Sequence, residues 1–334
     1  LNRFAGQCVG WQGINQIVQW ASAKLLDKGF ITTRLGIAEQ NLAGRTLLLT
    51  LLPGVIRSID VKDDATAGIT PARSVLSAFP VGPGDLLNLR DIEQGLEQMK
   101  RVPSQDVSID IAPGGEPGES DIILTVKRSQ AWRFGFTLDD AGTRSTGRLQ
   151  ATATASVDNP LGLNDLLSVS VNNDADRAAG QHGTRGHNIQ YSLPRGNWTL
   201  FLSDSYSHYL QTVQGANQRF HASGDSRNQE ARIQRLLHRN QTSKTSLQFR
   251  LLTREGNSFV EDAEILTQRR QTTAAELGVI HRRYLGASQL DLTLALRQGV
   301  PWLGGQSDAP GQSAQSPSFA YRLQTLDAAL TTPF

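Results

Sequence analysis

Six histidines, His182, His187, His208, His221, His238 and His281, are the first candidates for acid–base or metal chemistry. They are scattered. No two share the i, i+4 spacing of a zinc-binding helix, and the single cysteine, Cys8, leaves no cysteine pair for a metal. The sequence holds no Gly-x-Ser-x-Gly elbow and no phosphate-binding loop. Ser207 and His208 come nearest to a nucleophile and its base. Neighbours on a strand point to opposite faces, so they make a poor dyad. The chain is read as non-enzymatic, without cofactor or metal.

A second kind of chemistry lies in charged and amide residues that recur at every other position. In "SQLDLTLALRQG" (288–299), Leu290, Leu292, Leu294 and Leu296 alternate with Gln289, Asp291, Thr293, Ala295 and Arg297. An extended chain therefore has one oily wall and one wet wall. The wet wall across several such segments carries Arg148, Gln150, Gln248, Arg250, Glu276, Arg282, Asp291 and Arg297. Lining a water-filled lumen, the arginines can guide a polar, extended polypeptide. Alternatively they pair with Asp291 and Glu276 and only stiffen the wall. Both readings stay open.

The elements behind these residues change along the chain. The chain has 334 residues, 38% of them hydrophobic. Lys+Arg 33 against Asp+Glu 31 is near balance, which argues against a nucleic-acid partner. No stretch approaches the roughly 18–20 apolar residues of a membrane helix. Barrel strands escape such a scan because only alternate residues are apolar. The chain opens on Leu1 without a signal segment, so its true N-terminus is expected upstream.

"GINQIVQWASAKLLDKGF" sets Ile14, Ile17, Val18, Ala21 and Leu25 at helical spacing, and Gly29 stands where a helix ends. Strands follow in "ITTRLGIAEQ" and "GRTLLLTLLPG", joined by "NLAG". "GVIRSIDV" reads as a strand. "TPARSVLSAF" reads as a short helix, with Thr70 as its cap and Pro71 at its first position. "NLRDIEQGLEQMKRV" is a helix capped by Asn88, with Ile92, Leu96 and Met99 on one face. "QDVSIDIAP" and "SDIILTVKRS" are strands. The first region shows the same order without its opening strand, a weak repeat.

From Trp132 onward about ten strands can be drawn, many at roughly the 9–11 residues that cross a bilayer. Ala151, Ala153, Ala155 and Val157 oppose Thr152, Thr154 and Ser156; Leu247, Phe249 and Leu251 oppose Gln248 and Arg250; Ala275, Leu277 and Val279 oppose Glu276 and Gly278. "NPLGLN" and "PRGN" are tight turns, whereas "DADRAAGQHGTRG", "LQTVQGANQRFHASGDS" and "WLGGQSDAPGQSAQSPS" read as long polar loops. A soluble β-sandwich also hides one face of each strand. Three features favour a closed membrane barrel instead: the very polar wet wall, the small residues on the oily one, and aromatics near strand ends (Trp132, Trp198, Tyr206, Tyr209, Tyr284, Trp302). The oily wall is then expected to touch outer-membrane lipid.

The run "GFITTRLGIAEQNLAGRTLLLTLLPGVIRSI" resembles the end of the first POTRA domain of two-partner secretion transporters, the TpsB class of the Omp85 superfamily. "FPVGPGDLLNLRDIEQGLEQMKRVPSQDVSIDIAPGGEPGESDIIL" resembles their second POTRA domain. "DDAGTRSTGRLQATATASVDNPLGLNDLLSVS" and "RLLHRNQTSKTSLQFRLLTREGNSFVEDAEILTQRRQTTAAELGVIHRRYLG" resemble barrel strands. These proteins export haemolysins, filamentous haemagglutinins and contact-dependent inhibition toxins. The resemblance implies α+β POTRA domains in the periplasm followed by an antiparallel transmembrane β-barrel in the bacterial outer membrane. The family barrel has about sixteen strands. Expected boundaries are 1–57 for a partial POTRA1, 58–129 for POTRA2 and 130–334 for the N-terminal part of the barrel.

The implied function is outward passage of an unfolded exoprotein, a TpsA-like partner whose N-terminal secretion domain the POTRA domains take up. An extended segment adds to a free sheet edge through main-chain hydrogen bonds. The candidate surface is Val107, Ile109 and Ile111 with Arg90, Glu93, Glu97 and Arg101 on the adjoining helix. Three departures imply a chain truncated at both ends. The plug helix and the start of POTRA1 are missing. The expected mate of Cys8 is missing with them. The loop-6 Arg-Gly signature is absent, "TRGH" at 184–187 being misplaced for it. The alternatives are an Omp85-type assembly factor or a non-functional fragment.

Overall fold

Helix α1 (Trp11–Asp27) forms as its spacing predicts and buries Ile14 and Ile17. The chain then reverses at Gly29, whose φ of +94° suits a residue without Cβ. The Gly29 amide donates to the Leu26 carbonyl at 2.9 Å. Strands β1 (Arg34–Gly36) and β2 (Thr50–Leu52) pair antiparallel, three residues each and so shorter than expected. This computed structural model describes residues 4, 6, 9–41, 46–63, 69–176, 182–313 and 315–333. Cys8, most of the "NLAG" turn and part of the "DADRAAGQHGTRG" segment lie outside them.

The chain divides into two units. The first holds Leu1–Ser129 with the short segments Arg195–Asn197 and Arg239–Thr242. Its better-packed half runs β3 (Val55–Asp63), α2 (Ala72–Ala78), α3 (Leu89–Lys100), β4 (Gln105–Pro113) and β5 (Glu119–Arg128). The sheet order is β3-β5-β4, with β3 parallel to β5 and β4 antiparallel to it. Strand β3 begins at Val55 and runs across the boundary expected after residue 57.

The apolar faces of α3 and the sheet close on one core of Ile56, Leu87, Ile92, Met99, Val107 and Leu124, all at most 1% exposed. Each such side chain contributes about 1.5–3 kcal/mol when fully buried. Gly95 lets α3 sit directly on Phe79; a Cβ there would lie 2.3 Å from the ring. Asn88 caps α3 as expected, its Oδ1 accepting from the Arg90 amide at 2.9 Å. Helix α2 starts one residue later than expected, with Pro71 as its cap. Thr70 is instead tied to Asp63, its amide donating to Oδ2 at 2.6 Å.

The second unit is one antiparallel sheet of eleven strands. In chain order these are β6 (Trp132–Asp139), β7 (Gln150–Asp158), β8 (Leu166–Asp174), β9 (Gly183–Arg195), β10 (Trp198–Gln214), β11 (Arg219–Arg239), β12 (Ser243–Val260), β13 (Ala263–Glu264), β14 (Arg270–Leu285), β15 (Ser288–Val300) and β16 (Arg322–Thr331). Among the described residues the short β13 pairs only with β12, and the other ten follow one another from β6 to β16. Most of "LQTVQGANQRFHASGDS", expected as a loop, continues β10 and β11 instead. Pairs from Trp198–Arg235 to Gln214–Arg219 hold a long hairpin. Tyr206 and Tyr209 therefore lie inside a strand and not at its end.

The tight turn after β7 is tied together by side-chain hydrogen bonds. Asp165 is fully buried and accepts from the Leu161 amide at 3.2 Å and the Tyr191 hydroxyl at 3.0 Å. Beside it, Arg133 grips Asp158 through two bonds of 2.8 and 2.7 Å.

Candidate functional site

Register decides which side chains meet on the large sheet. On β12, β14 and β15, Arg250 lies opposite Glu276, and Glu276 opposite Arg297. Arg250 Nη1 donates to Glu276 Oε1 at 2.9 Å, and Arg297 Nε donates to Oε2 at 2.7 Å. Arg250 turns its other edge to Glu230 on β11, with Nη2 to Oε2 at 2.9 Å. Arg232 adds a further ion pair to Glu230 at 3.4 Å. The result is a ladder of alternating charge across four neighbouring strands. The Glu276 side chain is 3% exposed, so its carboxylate is held by guanidiniums rather than water. Bidentate, charge-assisted bonds of this kind are the strong ones.

Three of the expected wet-wall residues, Arg250, Glu276 and Arg297, therefore meet in one network, and Glu230 completes it. Arg282 and Asp291 form a separate pair at 2.6 Å, with Gln289 donating to the same carboxylate at 2.6 Å. Gln248 is buried on the same face. Gln150 donates to the Gly147 carbonyl and accepts from Thr184. Arg148 departs from the expectation. It precedes β7, stands exposed in the turn and pairs with Asp140 at 2.8 Å. The turn ends two residues later than the alternation suggested, because β7 pairing with β6 stops at Gln150.

The opposite face of the same strands is apolar. Leu247, Val279, Leu294 and Leu326 form one row across β12, β14, β15 and β16, and Phe249, Leu277 and Leu296 the next. Leu294 and Leu296 are 54% and 53% exposed. Leu290 and Leu292 lie opposite Arg283 and His281, so that face turns polar toward the β14–β15 turn. On β6, Trp132, Phe134, Phe136 and Leu138 share a face and are all exposed. Further along the β9–β11 strands this same face carries His187, bonded to Asp204 at 2.9 Å, and His208, bonded to Asp225 at 2.9 Å. Ser207 is paired on the other face. The two neighbours do not form a dyad.

In the first unit, Arg90 donates to Glu93 at 2.7 Å. Arg239, among the residues belonging to this unit, donates to Glu93 at 3.2 Å, Gln94 at 3.1 Å and Glu97 at 2.6 Å. Burial pushes the Arg101 guanidinium below its ordinary range. Burial likewise pushes the Asp91 carboxyl up, and Asp85 adds to it. Val107 is wholly in the core, and Ile109 and Ile111 pack against it. Among the described residues strand β4 pairs with β5 alone and forms an edge of the three-stranded sheet. Exposed at the far side of the sheet, Arg57 pairs with Asp121 and holds that carboxyl below the usual range.

Glu230 and Arg239 escaped the sequence reading. In "RNQEARIQR" strict alternation puts Asn228, Glu230, Arg232 and Gln234 on one face, a signal that was there to find. Nothing local marks Arg239 as a partner of residues some 140 positions earlier.

A β-α-α-β-β unit followed by a long antiparallel sheet, polar on one face and apolar on the other, defines a POTRA-bearing outer-membrane β-barrel protein. Residues 118–334 match the profile of the haemolysin secretion/activation protein family ShlB/FhaC/HecB, residues 55–113 a POTRA domain and residues 1–54 a ShlB-type POTRA domain. The chain belongs to the ShlB/FhaC/HecB family, whose barrel sits in the outer membrane with its POTRA domains on the periplasmic side. It is 44% identical over 334 residues to the outer membrane transporter CdiB-2 of Burkholderia pseudomallei, covering all of this chain and 56% of that one. To the outer membrane transporter CdiB of Dickeya dadantii it is 33% identical, covering 99% and 58%. Its fold superposes on CdiB from Escherichia coli with a TM-score of 0.88 at 30% identity, covering 99% of this chain and 61% of that one. The chain thus spans little more than half the length of these relatives. The family profiles meet at residues 54 and 55, where β3 begins.

Proposed function

We propose that this chain is the POTRA and N-terminal barrel portion of a two-partner secretion transporter. It passes an unfolded exoprotein of the haemolysin, adhesin or toxin kind across the outer membrane. The observation that carries the reading is the segregation of the large sheet. Its polar face is cross-linked by the Glu230–Arg250–Glu276–Arg297 ladder, while Leu294, Leu296, Leu277 and Phe249 lie bare on the other. Bare apolar rows of this kind suit hydrocarbon, and paired charges suit a wet lumen. A soluble sandwich would bury those rows against a second sheet.

The exoprotein's secretion domain adds to the free edge of β4 through main-chain bonds. Glu93 and Glu97 are already engaged by Arg239, and the side chains of Val107, Ile109 and Ile111 serve the core. The contribution of β4 is therefore its backbone. The protein performs no catalytic step; the work is done by binding and by folding of the cargo outside.

The test is complementation. The full-length protein is expressed beside its adjacent exoprotein in a strain lacking both, and the medium is assayed. Exoprotein in the medium, with other outer-membrane proteins at unchanged levels, supports export. Unchanged exoprotein retention together with loss of other barrels in the null strain points to an assembly factor and contradicts the reading.

A further inference from the structure

The polar face of the large sheet contains a groove of 420 Å³ that the charge ladder borders without filling. Its floor is set by Asn188 on β9, Ser203 and Ser205 on β10, Asn228 on β11 and Thr272 on β14. Ser205 and Asn228 are direct cross-strand neighbours. Among the described residues none of these five amides and hydroxyls has a side-chain hydrogen bond. They are donors and acceptors left for something else.

The charges around the groove are unevenly committed. Glu230 is bonded to Arg250, and Arg297 to Glu276, so both borders are neutralised within the wall. Arg254 alone lines the groove as a cation without an ion-pair partner among the described residues. The lining thus offers neutral hydrogen-bonding groups and one guanidinium. Apart from Arg254, the lining avoids discriminating by the charge of passing side chains, because desolvated like charges repel and unlike charges trap. What every segment of an unfolded chain presents alike is its peptide N–H and C=O groups.

We propose that this groove is a main-chain binding station for an extended polypeptide in transit, with Asn188, Ser203, Ser205, Asn228 and Thr272 exchanging hydrogen bonds with successive peptide groups. The inference rests on the transport reading and adds where, and by what chemistry, the cargo is held. The ladder beside it keeps Arg250 and Arg297 from competing for acidic stretches of the cargo.

The experiment uses the full-length protein in cells with its exoprotein arrested in mid-transit by a fused, tightly folding domain. A photo-crosslinking amino acid is placed singly at Ser205 and Asn228 on the polar face, and at Leu202 and Ile233 on the apolar face. Assembly of each variant is checked by its heat-modifiable migration; Ser203 and Thr272 replace any polar-face position that fails it. The expected result is a crosslink to the arrested exoprotein at 205 and 228 and none at 202 or 233. A second arm reads export of exoproteins carrying an acidic or a basic insert. The unaltered protein is expected to export both equally, and the doubly substituted S205D/N228D to lose the acidic one. Export without any crosslink at the polar-face positions, or equal crosslinking on both faces, overturns the groove. Failure of the unaltered protein to export at all overturns the transport reading beneath it.

Discussion

Substituting Glu276→Gln is the sharpest probe of the charge ladder. The carboxylate receives bonds from two guanidiniums, Arg250 at 2.9 Å and Arg297 at 2.7 and 2.6 Å. Hydrogen bonds to a charged group are worth about 1.5–3 kcal/mol each, and removing one member of a fully buried ion pair costs about 3–5 kcal/mol. The arginine side chains are 23% and 32% exposed, so water recovers part of their loss. Glutamine keeps one acceptor oxygen and turns an NH2 toward the second arginine. The expected loss of stability is therefore about 2–3 kcal/mol. It is read from guanidinium unfolding of the lipid-reconstituted protein followed by tryptophan fluorescence. The double substitution E276Q/R297Q should cost clearly less than the sum of the two singles, because contacting charges couple. A Glu276→Gln cost below about 0.5 kcal/mol, or strict additivity, would refute the ladder as a stabilising network.

Three further outcomes follow from the same geometry. Gly95→Ala should destabilise the first unit by about 1–3 kcal/mol in chemical unfolding, despite alanine's better helix propensity, because the new methyl meets the Phe79 ring at 2.3 Å. Asp121 ionises below the usual range beside Arg57, so the pairing adds stability above the unfolded carboxylate pKa and loses it as pH falls through the depressed folded value. In Arg57→Met, carboxyl NMR should find Asp121 titrating near its ordinary range, and an unchanged titration would contradict the pairing. Leu294→Arg should cost about 2–4 kcal/mol in lipid, whereas Thr293→Arg on the opposite face should cost far less, both measured by unfolding from vesicles.

Much of this protein could be read locally because its signals are local. Helix α3 is announced by Asn88 and by Ile92, Leu96 and Met99, which outweigh the interior Gly95, and it folds where those residues say. Alternation in 289–297 assigns faces correctly because side-chain period in a strand is fixed at two. What escaped was decided across strands. Arg148 looks like a wall residue until pairing of β6 with β7 ends at Gln150. The β10–β11 hairpin looks like a polar loop until Tyr206 and His208 both reach Asp225 on the partner strand. The ladder itself depends on residues 20 and 26 positions apart meeting Arg250. Polar composition alone cannot tell a solvated loop from a paired polar strand.

What lies against the apolar face of β15 decides whether these strands meet lipid. Single nitroxide labels at positions 289–297 of the protein in lipid vesicles, titrated with oxygen and with a water-soluble nickel complex, measure it directly. Oxygen should dominate at 294 and 296 and nickel at 291, 293 and 297. Equal shielding from both agents at every even position would mean that a second protein layer covers the leucines, and the membrane reading would fall with it.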